Sequence, residues 1–169
     1  MTESREWLMQ WVRDAHAMEE QAETMLSSQA SRLENYPELR GRIQTHIEET
    51  RNQAARLKSY LDGIGEGSSA FKDAGAKMVA MAQGISGVFA GDEVMKGSLA
   101  GYTFEHMEIA SYTAIIAAAE AQGNEELARI CEQNLQEEIA MADWLKSHLP
   151  ATTTQFLQRA ETDSDAAKR

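Results

Sequence analysis

The chain has 169 residues, 43% of them hydrophobic, and a net charge of −11. That length fits one domain with a sizeable core, and the charge argues against nucleic acid and anionic membranes as partners, since both are polyanions. A single cysteine, Cys131, excludes an internal disulfide and fits a reducing compartment. No apolar run reaches the length of a membrane span, and T-E-S-R-E-W after Met1 has no signal-peptide pattern, so the expected location is the cytoplasm. Only Pro37 and Pro150 interrupt long stretches rich in Ala, Glu, Gln, Leu and Met, a composition that favours an all-α fold.

The first predicted helix runs from about Ser4 to Ser28. Leu8, Val12, Ala15, Glu19, Ala22 and Leu26 recur at spacings of four and three and form an apolar seam with one charged member, Glu19. Glu19 either bends outward beside Glu20 and Glu23 or belongs to the interior. His16 lies next to the seam and reads as structural. Pro37 opens the second helix as its first residue, and Leu39, Ile43, Ile47, Thr50, Ala54, Leu57 and Leu61 mark its buried face to about Asp62. His46 and Gln53 lie on the shoulder of that face, with Glu49 in line with both.

Gly63 to Ser69 reads as a helix stop and a loop. Phe71, Ala74, Met78, Met81, Ile85 and Val88 then recur at helical spacing, which predicts an additional packing helix over 70–90 without a ligand of its own. The next predicted helix runs from about Asp92, its cap, to Gln122. It carries Glu105 and Glu108, three residues apart and therefore on one face, along with Tyr112 and Ile115. Gly123 closes it, and Asn124 caps the last long helix. That helix has Ala128, Cys131, Leu135, Glu138, Ala142, Leu145 and Leu149 on one seam and is predicted to stop at Pro150, with one or two further turns beyond it packing back through Phe156 and Leu157. The domain spans 1–160, and the polar tail at 161–169 is expected to fray.

Each of the four long helices therefore places a carboxylate near its middle, on or beside the apolar face. Antiparallel packing would bring these acids to one level, where their repulsion requires cations. Inward-pointing acids from four helices are the arrangement of ferritin-like di-iron and di-manganese bundles. The expectation is a ferritin-like four-helix bundle holding two divalent metal ions, iron or manganese.

Four segments carry a more specific likeness: D-A-H-A-M-E-E-Q-A-E (14–23), H-I-E-E-T-R-N-Q (46–53), F-E-H-M-E-I-A-S-Y (104–112) and E-E-I-A-M-A-D-W-L (137–145). They resemble the YciE/YciF stress proteins, and N-Y-P-E-L-R with the closing R-A-E-T-D looks nearest the YciE branch. The resemblance implies a ferritin-like stress-response protein of ferroxidase type, a homodimer, and metal ligands at Glu19, Glu49, Glu105, Glu108 and Glu138. Glu49 and Glu108 would be the bridges. His46, Gln53, Tyr102, His106, Tyr112 and Asp143 are candidates for further ligands or supporting groups. The sequence departs from the usual Glu-x-x-His pattern: Asn52 and Gln53 follow Glu49, and Met141 stands three residues after Glu138. This leaves an all-oxygen or His46-assisted site, and the alternative of a binding or interaction bundle whose metal site has decayed.

Overall fold

The computed structural model describes residues 3–66 and 91–168. Every regular element among them is helical: α1 (Glu3–Arg32), α2 (Pro37–Gly63), α3 (Glu93–Ala121), α4 (Glu125–Thr162) and the short α5 (Ser164–Ala167). The seams read from the sequence form the core. Leu8, Val12, Ala15, Ala22 and Leu26 of α1 are all buried, as are Ile43, Leu57 and Leu61 of α2, Ile115 of α3, and Cys131 and Leu145 of α4. Full burial of each large aliphatic contributes roughly 1.5–3 kcal/mol. The predicted helix over 70–90 lies outside the described residues.

Helix α1 packs chiefly on α2 and α3 on α4, and the two hairpins meet through α1 with α3 and α2 with α4. Cross-helix contacts give the directions. His46 meets Glu138 while Arg56 meets Asn134, so α2 and α4 run antiparallel. His46 also meets Glu105, and Asn134 meets Tyr112, so α3 runs with α2. The result is the expected all-α, ferritin-like four-helix bundle.

The ends follow local chemistry, with three differences from expectation. Pro37 is the first residue of α2, and Asn124 caps α4 by accepting the amide of Leu127 at 3.2 Å. Gly123 adopts φ +68°, the left-handed conformation that closes α3. Asp92 precedes α3 but makes no side-chain cap, binding Lys96 at 2.9 Å instead.

Pro150 does not end α4, which continues to Thr162. A proline removes one helix hydrogen bond, and the turns beyond it remain attached because Phe156 packs against the core. The tail is not frayed either. Asp163 caps α5, Asn35 donates to the carbonyl of Ala166 at 3.1 Å, and the Tyr36 hydroxyl donates to that of Ala167 at 2.8 Å.

Cys131 is fully buried, and burial, aided by the charge of Glu19, pushes its thiol up to about 12.

Candidate metal centre

Four side chains from three helices meet mid-bundle: His46 of α2, Glu105 and Glu108 of α3, and Glu138 of α4. One ligand atom from each lies within 4.8 Å of all the others, and all four residues are buried. Helical spacing explains the convergence. Glu105 and Glu108 are one turn apart on the α3 seam, and antiparallel α4 brings Glu138 to their level.

His46 sits at the centre. Its Nε2 is 3.2 Å from Oε2 of Glu105 and 3.3 Å from Oε2 of Glu138, but neither oxygen lies in line with a ring N–H, so no hydrogen bond forms there. Its Nδ1 is 2.7 Å from Oε2 of Glu49, an oxygen that also accepts from Arg42 at 3.1 Å.

Glu49 is therefore placed differently from the expected bridging role. Three residues along a helix is about 60° short of a full turn. That swing carries its carboxylate, 30% exposed, to the outer side of the imidazole. The group brought inward from α2 is His46, the upstream imidazole.

Glu19 is wholly buried on α1. Its Oε1 accepts the Tyr112 hydroxyl, and its Oε2 has no partner. It stands near enough to the four-residue group for Glu138, His46 and Glu105 to act on its ionisation. Thr50 and Gln53 are buried too, and the Thr50 hydroxyl and both amide atoms of Gln53 lack hydrogen bonds. The remaining candidates stay outside. Tyr102 is half-buried and packs edge-on against exposed His106, ring centres 4.5 Å apart, while Asp143 is exposed. His16 lies 3.8 Å from Glu20, which matches its structural reading.

Burial drives the electrostatics. It raises the carboxyl of Glu19 well above its usual range, reinforced by Glu138 and opposed by Tyr112 and His46. It does the same to Glu108, where Glu138, Glu19 and Glu105 all add repulsion. Glu105 is pushed up to about 8 by burial, even with His46 working against it. Burial alone would lower His46, but the carboxylates of Glu105, Glu138 and Glu49 outweigh it and push the imidazole up to about 12. Glu138, although buried, is held below its usual value by His46. Without a metal, an imidazolium faces Glu138, and burial favours the protonated forms of Glu19, Glu105 and Glu108.

Sequence reasoning missed Asn134 and Arg56. Asn134 is fully buried and donates to the Tyr112 hydroxyl at 2.9 Å. Its carbonyl accepts from Arg56 at 2.8 Å. Its position four residues before Glu138, on the same face, was the available signal.

Residues 3–158 match the model of the domain of unknown function DUF892. The chain belongs to the DUF892 family. Solved structures similar to this DUF892 chain include a protein from Xanthomonas campestris, 43% identical, covering 95% of this chain and 99% of that one with a TM-score of 0.79. YcfI from Rhodopseudomonas palustris is 23% identical over 86% of this chain and 94% of its own, with a TM-score of 0.70. The E. coli stress protein YciF is 22% identical over 88% and 96%, with a TM-score of 0.71. The last two share the fold with this chain.

The donor set in this DUF892 chain suits a divalent cation. Nε2 of His46, Oε2 of Glu19 and of Glu105, Oε1 of Glu108 and both oxygens of Glu138 are buried without a hydrogen-bond partner. A buried polar atom left so costs about 1–3 kcal/mol, more when charged. Such atoms are normally satisfied by something outside the side-chain network. Carboxylate and imidazole ligands sit about 2.0–2.2 Å from such a metal, so ligand atoms that all lie within 4.8 Å of one another are close enough to share an ion after small side-chain shifts. Nδ1 of His46 is engaged by Glu49, so Nε2, once its proton is displaced, is the nitrogen left to take a metal, the usual carboxylate–histidine–metal order. No helix among the described residues is long and apolar enough to cross a membrane.

Proposed function

We propose that this protein is a cytoplasmic stress-response member of the ferritin-like bundles, nearer the YciE branch. In this reading it holds two divalent ions, iron before manganese, and oxidises Fe(II) with oxygen or peroxide. The observation that carries this reading is the set of unpartnered buried ligand atoms around His46, Glu105, Glu108 and Glu138. The fold shared with a bacterial stress protein supports the physiological setting. Bound iron would supply the redox change and the Lewis acidity.

The chain's own residues do the rest. His46, Glu105 and Glu138 would hold one ion, with Glu49 fixing the imidazole. Glu108 would reach both ions. Oε2 of Glu19 and the carbonyl of Gln53 offer hard oxygens for the second. Glu19, Glu105 and Glu108 would give up the protons that burial favours, His46 would give up the proton on Nε2, and the burial of all these side chains keeps bulk water out.

Metal-free protein given Fe(II) and peroxide should consume the iron faster than the Glu105→Ala/Glu138→Ala variant. Equal rates would remove the enzymatic claim. A second reading, a binding or interaction bundle with a decayed site, is favoured by one observation: exposed Asn52 and buried Met141 stand three residues after Glu49 and Glu138, where such bundles usually carry imidazole. Elemental analysis separates the two. About two metals per chain supports the first. No metal, with melting unchanged by chelation, supports the second.

The assembly belongs to the same proposal. Trp7 and Trp11 are 55% and 42% exposed, and Trp11 borders a groove between α1 and α3 lined by Met18, Met107 and Ile115. Exposed apolar area of this kind suits a two-fold dimer, whose interface is expected to lie partly on residues 70–90, outside the described residues. Light scattering at micromolar concentration should give twice 18.7 kDa, and a mass near 18.7 kDa would refute it.

A further inference from the structure

A chain of hydrogen bonds leads from the surface to Glu19, and its direction is set at the outer end. The guanidinium of Arg56 has only donors. It grips Glu137 with two bonds, 2.8 and 2.9 Å, and gives a third, 2.8 Å, to Oδ1 of Asn134. Because that oxygen must accept, the amide of Asn134 can point only its N–H group at Tyr112, at 2.9 Å. The Tyr112 oxygen is then an acceptor towards Asn134, and its single O–H must go elsewhere. It goes to Oε1 of Glu19. Asn134, Tyr112 and Glu19 are all fully buried, so no water competes for these groups.

We infer that Arg56 and Asn134 are positioning residues that act on the metal centre through Tyr112. They commit the tyrosine hydroxyl to one oxygen of Glu19 and leave the other, the unpartnered Oε2, available to an ion. Remove the guanidinium and the amide of Asn134 is free to turn over. Its carbonyl then takes the Tyr112 proton, Oε1 of Glu19 loses its donor, and the carboxylate loses its fixed orientation. The cation of Arg56 also polarises the donors in series, so each bond strengthens the next.

The inference rests on the proposed metal centre, and the test keeps the two apart. Metal-free protein is titrated anaerobically with Co(II), whose absorption reports coordination. Arg56→Met should bind about 10- to 100-fold more weakly than wild type, the usual loss when a group orienting a ligand is removed. Arg56→Lys, which keeps a donor, should recover most of the affinity. Glu137→Gln, which removes the surface charge but leaves the bond to Asn134, should bind like wild type. In a Tyr112→Phe background, Arg56→Met should cost nothing further, because the path to Glu19 is already cut. A wild type that binds no Co(II) overturns the metal centre and this inference with it. A wild type that binds, with Arg56→Met unchanged or Glu137→Gln equally weakened, overturns the inference alone. So does an Arg56→Met effect that persists in the Tyr112→Phe background. If Arg56→Met does not fold, Asn134→Ala takes its place: unchanged Co(II) affinity, or a loss that persists in the Tyr112→Phe background, refutes the inference.

Discussion

Raising the pH should destabilise the metal-free protein, and Glu105 allows the size to be worked out. Its carboxyl titrates near 8 in the folded chain, against a reference of 4.5. Between those values the folded state holds a proton that the unfolded state has released. Unfolded chains then bind fewer protons, and stability falls as pH rises, by about 1.4 kcal/mol per pH unit for each such proton. Glu19 and Glu108, also raised, act in the same direction.

His46 adds to the trend. Its folded value near 12 means that its contribution is complete below 6.5 and is lost as pH climbs towards 12. Glu138 and Glu49 are lowered, so what they contribute is present above about 4.5 and lost only below it. From pH 5 to 8 the Glu105 proton alone is worth a few kcal/mol, or on the order of ten degrees in Tm for a chain of this length. Thermal unfolding followed by circular dichroism in chelator at pH 5, 6, 7 and 8 measures it. Surface repulsion from a net charge of −11 also grows with pH, so the deciding sample is Glu105→Gln, which cannot ionise there. Its slope should be clearly shallower. The same slope in variant and wild type would refute the reasoning.

Glu49→Gln should keep the fold but weaken Mn(II) binding about 10- to 100-fold, because His46 loses the carboxylate that holds its Nδ1 proton; electron paramagnetic resonance of free Mn(II) reads this directly. Tyr36→Phe should lower stability by about 1 kcal/mol through loss of the bond to Ala167, and amide exchange should speed up in α5 but not in α3. Leu57→Ala removes a fully buried side chain and should cost about 2–5 kcal/mol in urea unfolding, without changing the m-value.

The seams of α1 and α4 were legible because their apolar spacing is regular and each carries one acid in place of a hydrophobe. Glu19 and Glu138 could be read as interior for that reason, and both are fully buried. Glu49 and His46 were harder to separate. They lie three residues apart on the shoulder of α2, where a rotation of a few tens of degrees decides which one turns inward, and periodicity cannot resolve that angle. Asn134 was overlooked for another reason, although it lies one turn before Glu138 on the same face. A lone amide in a helix reads as solvated until its partners on two other helices are known. Packing by Phe156 beyond Pro150 was legible, but the unbroken passage of α4 through the proline was not, because local propensity favours a stop there.

The lone thiol gives the bundle a built-in clock. With Cys131 pushed up to about 12, only about one molecule in a hundred thousand carries the thiolate at pH 7 while folded. Peroxide and alkylating reagents therefore find no nucleophile until the helices separate. The rate at which a thiol reagent marks this single position counts openings of the interior, one chain at a time. Any ion that ties α2, α3 and α4 together should slow the count.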